Sequence, residues 1–208
     1  MKIREKMLKH GNWLFKYRGQ LPIILFLIAI PVIYETSYYN RIESATISII
    51  QNSAIIISII GLILRYYTIG TTPIGTSGKN RDSQIAEKLN TKGIYSLVRN
   101  PLYLGNYIIW IGITIYSLSY ILIILVSFFF LFIYERIILV EEEFLSKKYP
   151  GKYPNFMQKT PVFFPNFKNY QKGEIKFSVK KILRQEYSST LSTIISFIYI
   201  DILLRYFM

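Results

Sequence analysis

Five stretches of the chain are apolar with almost no polar interruption: residues 21–39, 44–69, 102–118, 120–140 and 188–207. Each holds about 17 to 26 residues, and a helix needs roughly 20 to cross a bilayer. Runs such as IIISIIGLIL lack the alternation of a transmembrane barrel, so backbone groups in lipid must be satisfied inside helices. The pattern predicts an all-α integral membrane protein with about five transmembrane helices. The first stretch contains Pro31, but no small-residue cleavage pattern follows it, so it reads as a span rather than a signal peptide.

The polar positions fall into the same scheme. Only Ser117 to Tyr120 separates the third and fourth stretches, which predicts a tight helical hairpin with both far ends on one side. Two long polar connections, 70–101 and 141–187, lie on that side. In the first, GTTPIGTSGKN reads as irregular backbone. Asp82 or Ser83 is placed to cap a short helix running to about Asn90, with Ile85 and Leu89 one turn apart and Gly93 ending it. In the second, GEIKFSVKKILRQEY spaces Ile175, Val179, Ile182 and Leu183 as one helix face, between Lys176, Lys180, Lys181 and Arg184. That predicts a basic amphipathic helix in the headgroup layer, so that residues 173–207 hold this helix and the last span. No internal repeat divides the chain, which reads as a single domain over 1–208.

Charge changes the picture by orienting it. The formal net charge is +13, and its placement decides between nucleic acid and membrane as the partner. Of 25 Lys and Arg, six lie in the N-terminal arm before the first stretch, five in 70–101 and ten in 141–187. This is the asymmetry of a protein whose N-terminus and long connections are cytoplasmic. The basic charge sets topology and attracts anionic lipid; no nucleic-acid partner is expected. A composition rich in Ile, Lys, Asn and Tyr points to a bacterial inner membrane.

The chemistry available is narrow. The chain has no cysteine and one histidine, His10, which excludes thiolate nucleophiles, a histidine-based zinc site and a Ser-His triad; no metal site is expected. Charges inside the apolar stretches need partners. Arg65, near a cytoplasmic end, is expected to snorkel; Asp201 and Arg205 are four apart and suit a local ion pair; Glu135 and Arg136 are placed to line a cavity opening toward the cytoplasm.

One junction stands out. In GIYSLVRNPLYLG, Pro101 suits the first turn of a helix and biases Asn100 away from helical angles, so RNP marks where loop becomes span. The first amides of that helix lack acceptors and its end is partly positive, a cradle for a carboxylate or phosphate to which Arg99 adds a donor fork. Gly105 and Gly112 leave a groove along it for close packing or a ligand. The hairpin brings this junction near Glu141, Glu142 and Glu143.

GIYSLVRNPLYLG resembles the G-x-Y-x-x-x-R-H-P-x-Y-x-G signature of the isoprenylcysteine carboxyl methyltransferase and phospholipid methyltransferase superfamily, and ERIILVEEEFLSKKYPGKYPNFMQKTPVFFP is similar to its second signature. The resemblance covers about 44–165. It implies a membrane methyltransferase whose cytoplasmic pocket binds S-adenosylmethionine between the two motifs, with a lipid or lipid-linked acceptor arriving from the bilayer. Carried over by position, Tyr95, Arg99, Asn100, Pro101, Tyr103 and Gly105 match the first motif, and Glu141, Glu142 and Tyr153 the second; Arg99 and Glu142 are the residues expected to matter most. Two positions depart: Asn100 stands for the family's histidine, and Pro150 for its glycine, with Gly151 one place later. Asn hydrogen-bonds much as a neutral imidazole does but moves no proton, which favours an acceptor that is already an anionic oxygen, a carboxylate or lipid phosphate, beside a phospholipid headgroup. Two other classes stay open at this point. Sterol and steroid reductases that use NADPH carry a related R-x-P-x-Y-x-G motif, and a non-catalytic membrane scaffold would use the same charged junctions structurally.

Overall fold

A computed structural model describes residues 3–39, 44–73 and 86–207. Among these residues eight α-helices follow in order: α1 (Ile3–Tyr17), α2 (Pro22–Tyr39), α3 (Ser44–Gly70), α4 (Ile94–Leu97), α5 (Pro101–Tyr116), α6 (Tyr120–Lys148), α7 (Lys152–Lys159) and α8 (Val179–Phe207), with a 3₁₀ turn at Phe167–Asn169. Among the described residues there is no strand, only a bridge between Gly93 and Gln171.

All five apolar stretches are helical. Three helices, α3, α6 and α8, are long and apolar enough to cross a membrane, and α1 with α2, bent by 84°, makes a fourth if the pair is one span. The expected five therefore becomes three or four by length. The difference lies partly in α5, whose 16 residues reach only about 24 Å. Pro101 begins it and the hairpin turn ends it. Outward faces carry Ile56, Ile63, Phe128, Leu131, Ile194 and Ile202, all exposed, the apolar surface that a multi-pass membrane protein presents to lipid.

The hairpin forms as its residues dictate. Leu118 takes φ 60, and the Ser119 side chain accepts a hydrogen bond from Leu122 N at 3.3 Å, capping α6. Thr36 on α2 donates to Ser119 Oγ at 2.9 Å, tying that helix to the same corner. Lipid gives helices no hydrophobic reason to associate, so small residues must let backbones approach. At the α3–α5 crossing a Cβ on Gly112 would stand 2.6 Å from Ala54 O, and Ser58 Oγ donates to Ile109 O at 3.0 Å. The groove expected along α5 is thus filled by α3. Beside it, Phe15 of α1 packs with Phe130, Tyr134 and Ile137 of α6, and Tyr103, Tyr107 and Trp110 of α5 close the cluster.

Two expectations change here. The basic segment is not a separate amphipathic helix: residues 173–178 are non-helical, and from Val179 the chain runs unbroken through the last span. The first turns of α8 dock on the end of α3, where Ser178 N donates to Gly70 O at 3.1 Å and Lys181 Nζ donates to Thr72 O. These bonds tie the segment to the end of α3. In the first connection, Asp82, Ser83 and Ile85 lie outside the described residues, and residues 86–90 are not helical.

Candidate active site

The first motif is held open by its backbone. Gly93, at φ 61, donates to Gln171 O at 2.8 Å and so pairs the start of the motif with the chain after the second one. Ser96 Oγ accepts from Gln171 N at 2.9 Å, Asn166 N donates to Leu97 O at 2.9 Å, and Arg99 N donates to Pro161 O at 2.9 Å. Val98 and Asn100 leave helical angles, and Pro101 opens α5 as expected of a proline at the first helical position. The backbone amides of Leu102 and Tyr103 are then the first of the helix and have no acceptor within it.

The side chains of the two motifs meet across the hairpin. Arg99 Nε donates to Glu142 Oε1 at 2.9 Å, while its Nη1 donates to Met157 O at 2.7 Å and Thr160 O at 2.8 Å. Asn100 Nδ2 donates to Val162 O at 3.2 Å. Tyr103 OH donates to Glu141 Oε1 at 2.7 Å. Arg99 therefore differs from the free donor fork that its sequence position predicted: Nε and Nη1 are committed to the protein, and the guanidinium braces Glu142 and the turn after α7. Glu141 and Glu142 are both half-buried beside it. Glu143 does not join them. It faces the other way, to Arg4 at 2.6 Å and Lys147 at 3.1 Å.

Two tyrosines line the junction. Tyr153, on α7, is buried; burial and then the charge of Glu142 push its hydroxyl well above the usual tyrosine range. Tyr95, on α4, is pushed the same way by burial and then by Glu141, and bonds to Thr72. Both stay protonated near neutrality and can donate as well as accept. Gly151 takes φ 78 and starts α7, so the displaced glycine of the second motif serves a turn that Pro150 could not make.

The sequence reading missed several neighbours. Arg18, from the bend between α1 and α2, lies against the Phe15 ring at 3.9 Å and acts electrostatically on Glu141 and Tyr103. Arg65 does not snorkel. It forms an ion pair with Glu186 at 2.8 Å, with side chains 11% and 4% exposed, and bonds to Asn106 of α5. Arg65 was visible in the sequence as a charge needing a partner; that the partner is Glu186, 121 positions away, was not. Glu135 is largely exposed, and Arg136 lies on the Phe132 ring at 3.6 Å and donates to Phe132 O. Asp201 and Arg205 pair at 2.7 Å as expected.

A half-open crevice with about 450 Å³ of empty space lies elsewhere, between α2, α5, α6 and α8, walled by Leu25, Phe26, Trp110, Val126 and Ile200. Among the described residues no group of three or more His, Cys, Asp or Glu gathers to hold a metal ion.

Comparison with known proteins agrees with this geometry. The model of the phospholipid methyltransferase family matches residues 49–152, half of the chain, from α3 through α6 and so across both sides of the junction. A nickel-cobalt-cadmium resistance protein, NccN, of Alcaligenes xylosoxydans xylosoxydans is 32% identical over 78 residues, 38% of this chain and 36% of that protein. A cobalt-zinc-cadmium resistance protein, CzcN, of Cupriavidus metallidurans is 32% identical over 91 residues, 44% of this chain and 41% of that one. The matches thus span about two fifths of those relatives at most. No solved structure matches the chain. With both motifs joined across a helical hairpin, and with the family model covering the helices that carry them, the chain belongs to the phospholipid methyltransferase family.

Proposed function

We propose that the protein is an S-adenosylmethionine-dependent methyltransferase of the inner bacterial membrane that methylates a lipid or lipid-linked acceptor at an anionic oxygen, a carboxylate or lipid phosphate, or at a phospholipid headgroup. The observation that carries this reading is the paired contact of Arg99 with Glu142 and of Tyr103 with Glu141, which brings two carboxylates to the start of α5, where the first amides have no acceptor within the helix.

The donor set fits the cofactor. Glu141 and Glu142 are acceptors for an amino group and ribose hydroxyls; the amides of Leu102 and Tyr103 suit its carboxylate; Tyr95, Asn100, Pro101 and Tyr153 shape the walls, whereas Gly105 faces α3 and is closed off by Arg65. When bound, S-adenosylmethionine supplies an electrophilic methyl on a positively charged sulfur. The protein's part is positional. Arg99 orients Glu142, and Tyr103 orients Glu141. Asn100 moves no proton, so an acceptor that is already anionic needs no base from this chain. Holding acceptor and methyl donor in line can remove roughly 7 to 11 kcal/mol of barrier.

Calorimetry in detergent micelles tests the cofactor: the protein is expected to bind S-adenosylhomocysteine and not NADPH. NADPH binding alone would replace this reading with a reductase. Mass spectrometry of lipids from cells with and without the gene identifies the acceptor as a species lighter by one methylene when the gene is deleted; an unchanged lipid profile would point away from a lipid acceptor.

A further inference from the structure

The deepest ion pair among the described residues lies not at the motif junction but inside the bundle. Arg65 has five N–H groups, and all five are used. Nε and Nη2 grip the two oxygens of Glu186 on α8 at 2.8 and 2.9 Å; Nη2 also donates to Ser189 Oγ at 3.1 Å. Nη1 donates to Asn106 Oδ1 at 2.5 Å and to Leu102 O at 3.3 Å, both on the first turns of α5. The chain continues to the junction. Asn106 Nδ2 donates to Tyr134 OH at 3.3 Å, the Tyr134 ring packs on Tyr103 at 4.8 Å, and Tyr103 holds Glu141.

Gly105 belongs to the same device. A Cβ there would stand 2.6 Å from Arg65 Cγ, so the last glycine of the first motif is the space through which the arginine stem passes. A charge pair at this depth is no better for stability than a packed apolar pair of similar volume. What an apolar pair cannot do is fix Leu102 O, Asn106 and α8 in one plane.

We infer that Arg65, gripped by Glu186, is a positioning residue that sets the register of the first turn of α5, and with it Tyr103 and Glu141, so that α8 is part of the site although it lies outside the family-matched residues. The consequence for ligand binding rests on the methyltransferase reading; the positioning itself does not.

The double variant Arg65→Met with Glu186→Met keeps volume and removes both charges. In detergent it is expected to keep the helix content and melting midpoint of the wild type, to exchange the hydrogen-bonded amides within residues 98–104, those of Val98, Arg99 and Leu104, faster, and to bind S-adenosylhomocysteine about tenfold more weakly. Arg65→Lys keeps the charge but not the fork, and is expected to show the same faster exchange without rescue; it decides the matter if the double variant does not fold. Unchanged exchange at 98–104 in either folded variant overturns the inference. If the wild type binds no S-adenosylhomocysteine, the methyltransferase reading fails while the exchange result still decides the positioning.

Discussion

The two most buried Arg–Glu pairs among the described residues differ in what surrounds them. Arg99 and Glu142, 10% and 19% exposed, meet at the rim of the bundle, where Arg99 also grips two backbone carbonyls. Arg65 and Glu186, 11% and 4% exposed, meet between helices, and every other partner of Arg65 is on α5 or α8. Water near the rim can solvate a charge that loses its partner; the bundle interior offers none. On the proposed reading the rim pair serves a ligand, whereas the inner pair serves the frame on which the rim pair stands.

The contrast is sharpest when one carboxylate is removed from each. Glu186→Ala leaves a guanidinium in the bundle and is expected to destabilise the protein by about 3–5 kcal/mol, read as a fall in the thermal midpoint in detergent. Glu142→Ala leaves Arg99 its two carbonyls and partial access to water, so the expected loss is smaller, about 1.5–3 kcal/mol, with a larger proportional loss of S-adenosylhomocysteine binding. A stability loss from Glu142→Ala equal to that from Glu186→Ala would erase the distinction between the two regions. The smallest effect is expected with pH. Tyr95 and Tyr153 have folded-state values raised above the ordinary 10, so their contribution is complete below that pH and is lost as pH rises above it, when the unfolded state ionises first. Melting followed from neutral to alkaline pH is expected to show this decline, and Tyr153→Phe to reduce it.

Much of the rim was legible because its signals are local. Pro101 after Asn100 marks a helix start whatever surrounds it, and a connection from Ser117 to Tyr120 leaves the flanking helices no choice but to return. From these, the meeting of Arg99 to Tyr103 with Glu141 and Glu142 followed. The pattern could not tell which of three consecutive glutamates face the site, because Glu143 turns away through a contact with Arg4, on a helix whose packing against α6 no local signal announced. It also could not show that Arg99 would be committed to the carbonyls of Met157 and Thr160.

By itself, then, the chain's order of residues determined the apolar helices, the hairpin, the side on which charge collects and the chemistry that a cysteine-free, histidine-poor protein can perform, because these depend on spacing along one segment. Tertiary structure decided that Arg65 faces Glu186 rather than the headgroups, that the basic segment continues into α8, and that α5 is too short to count as a span by length. Those outcomes depend on which buried charges find one another across the bundle, and in a medium without water each charge takes the partner that packing brings within reach.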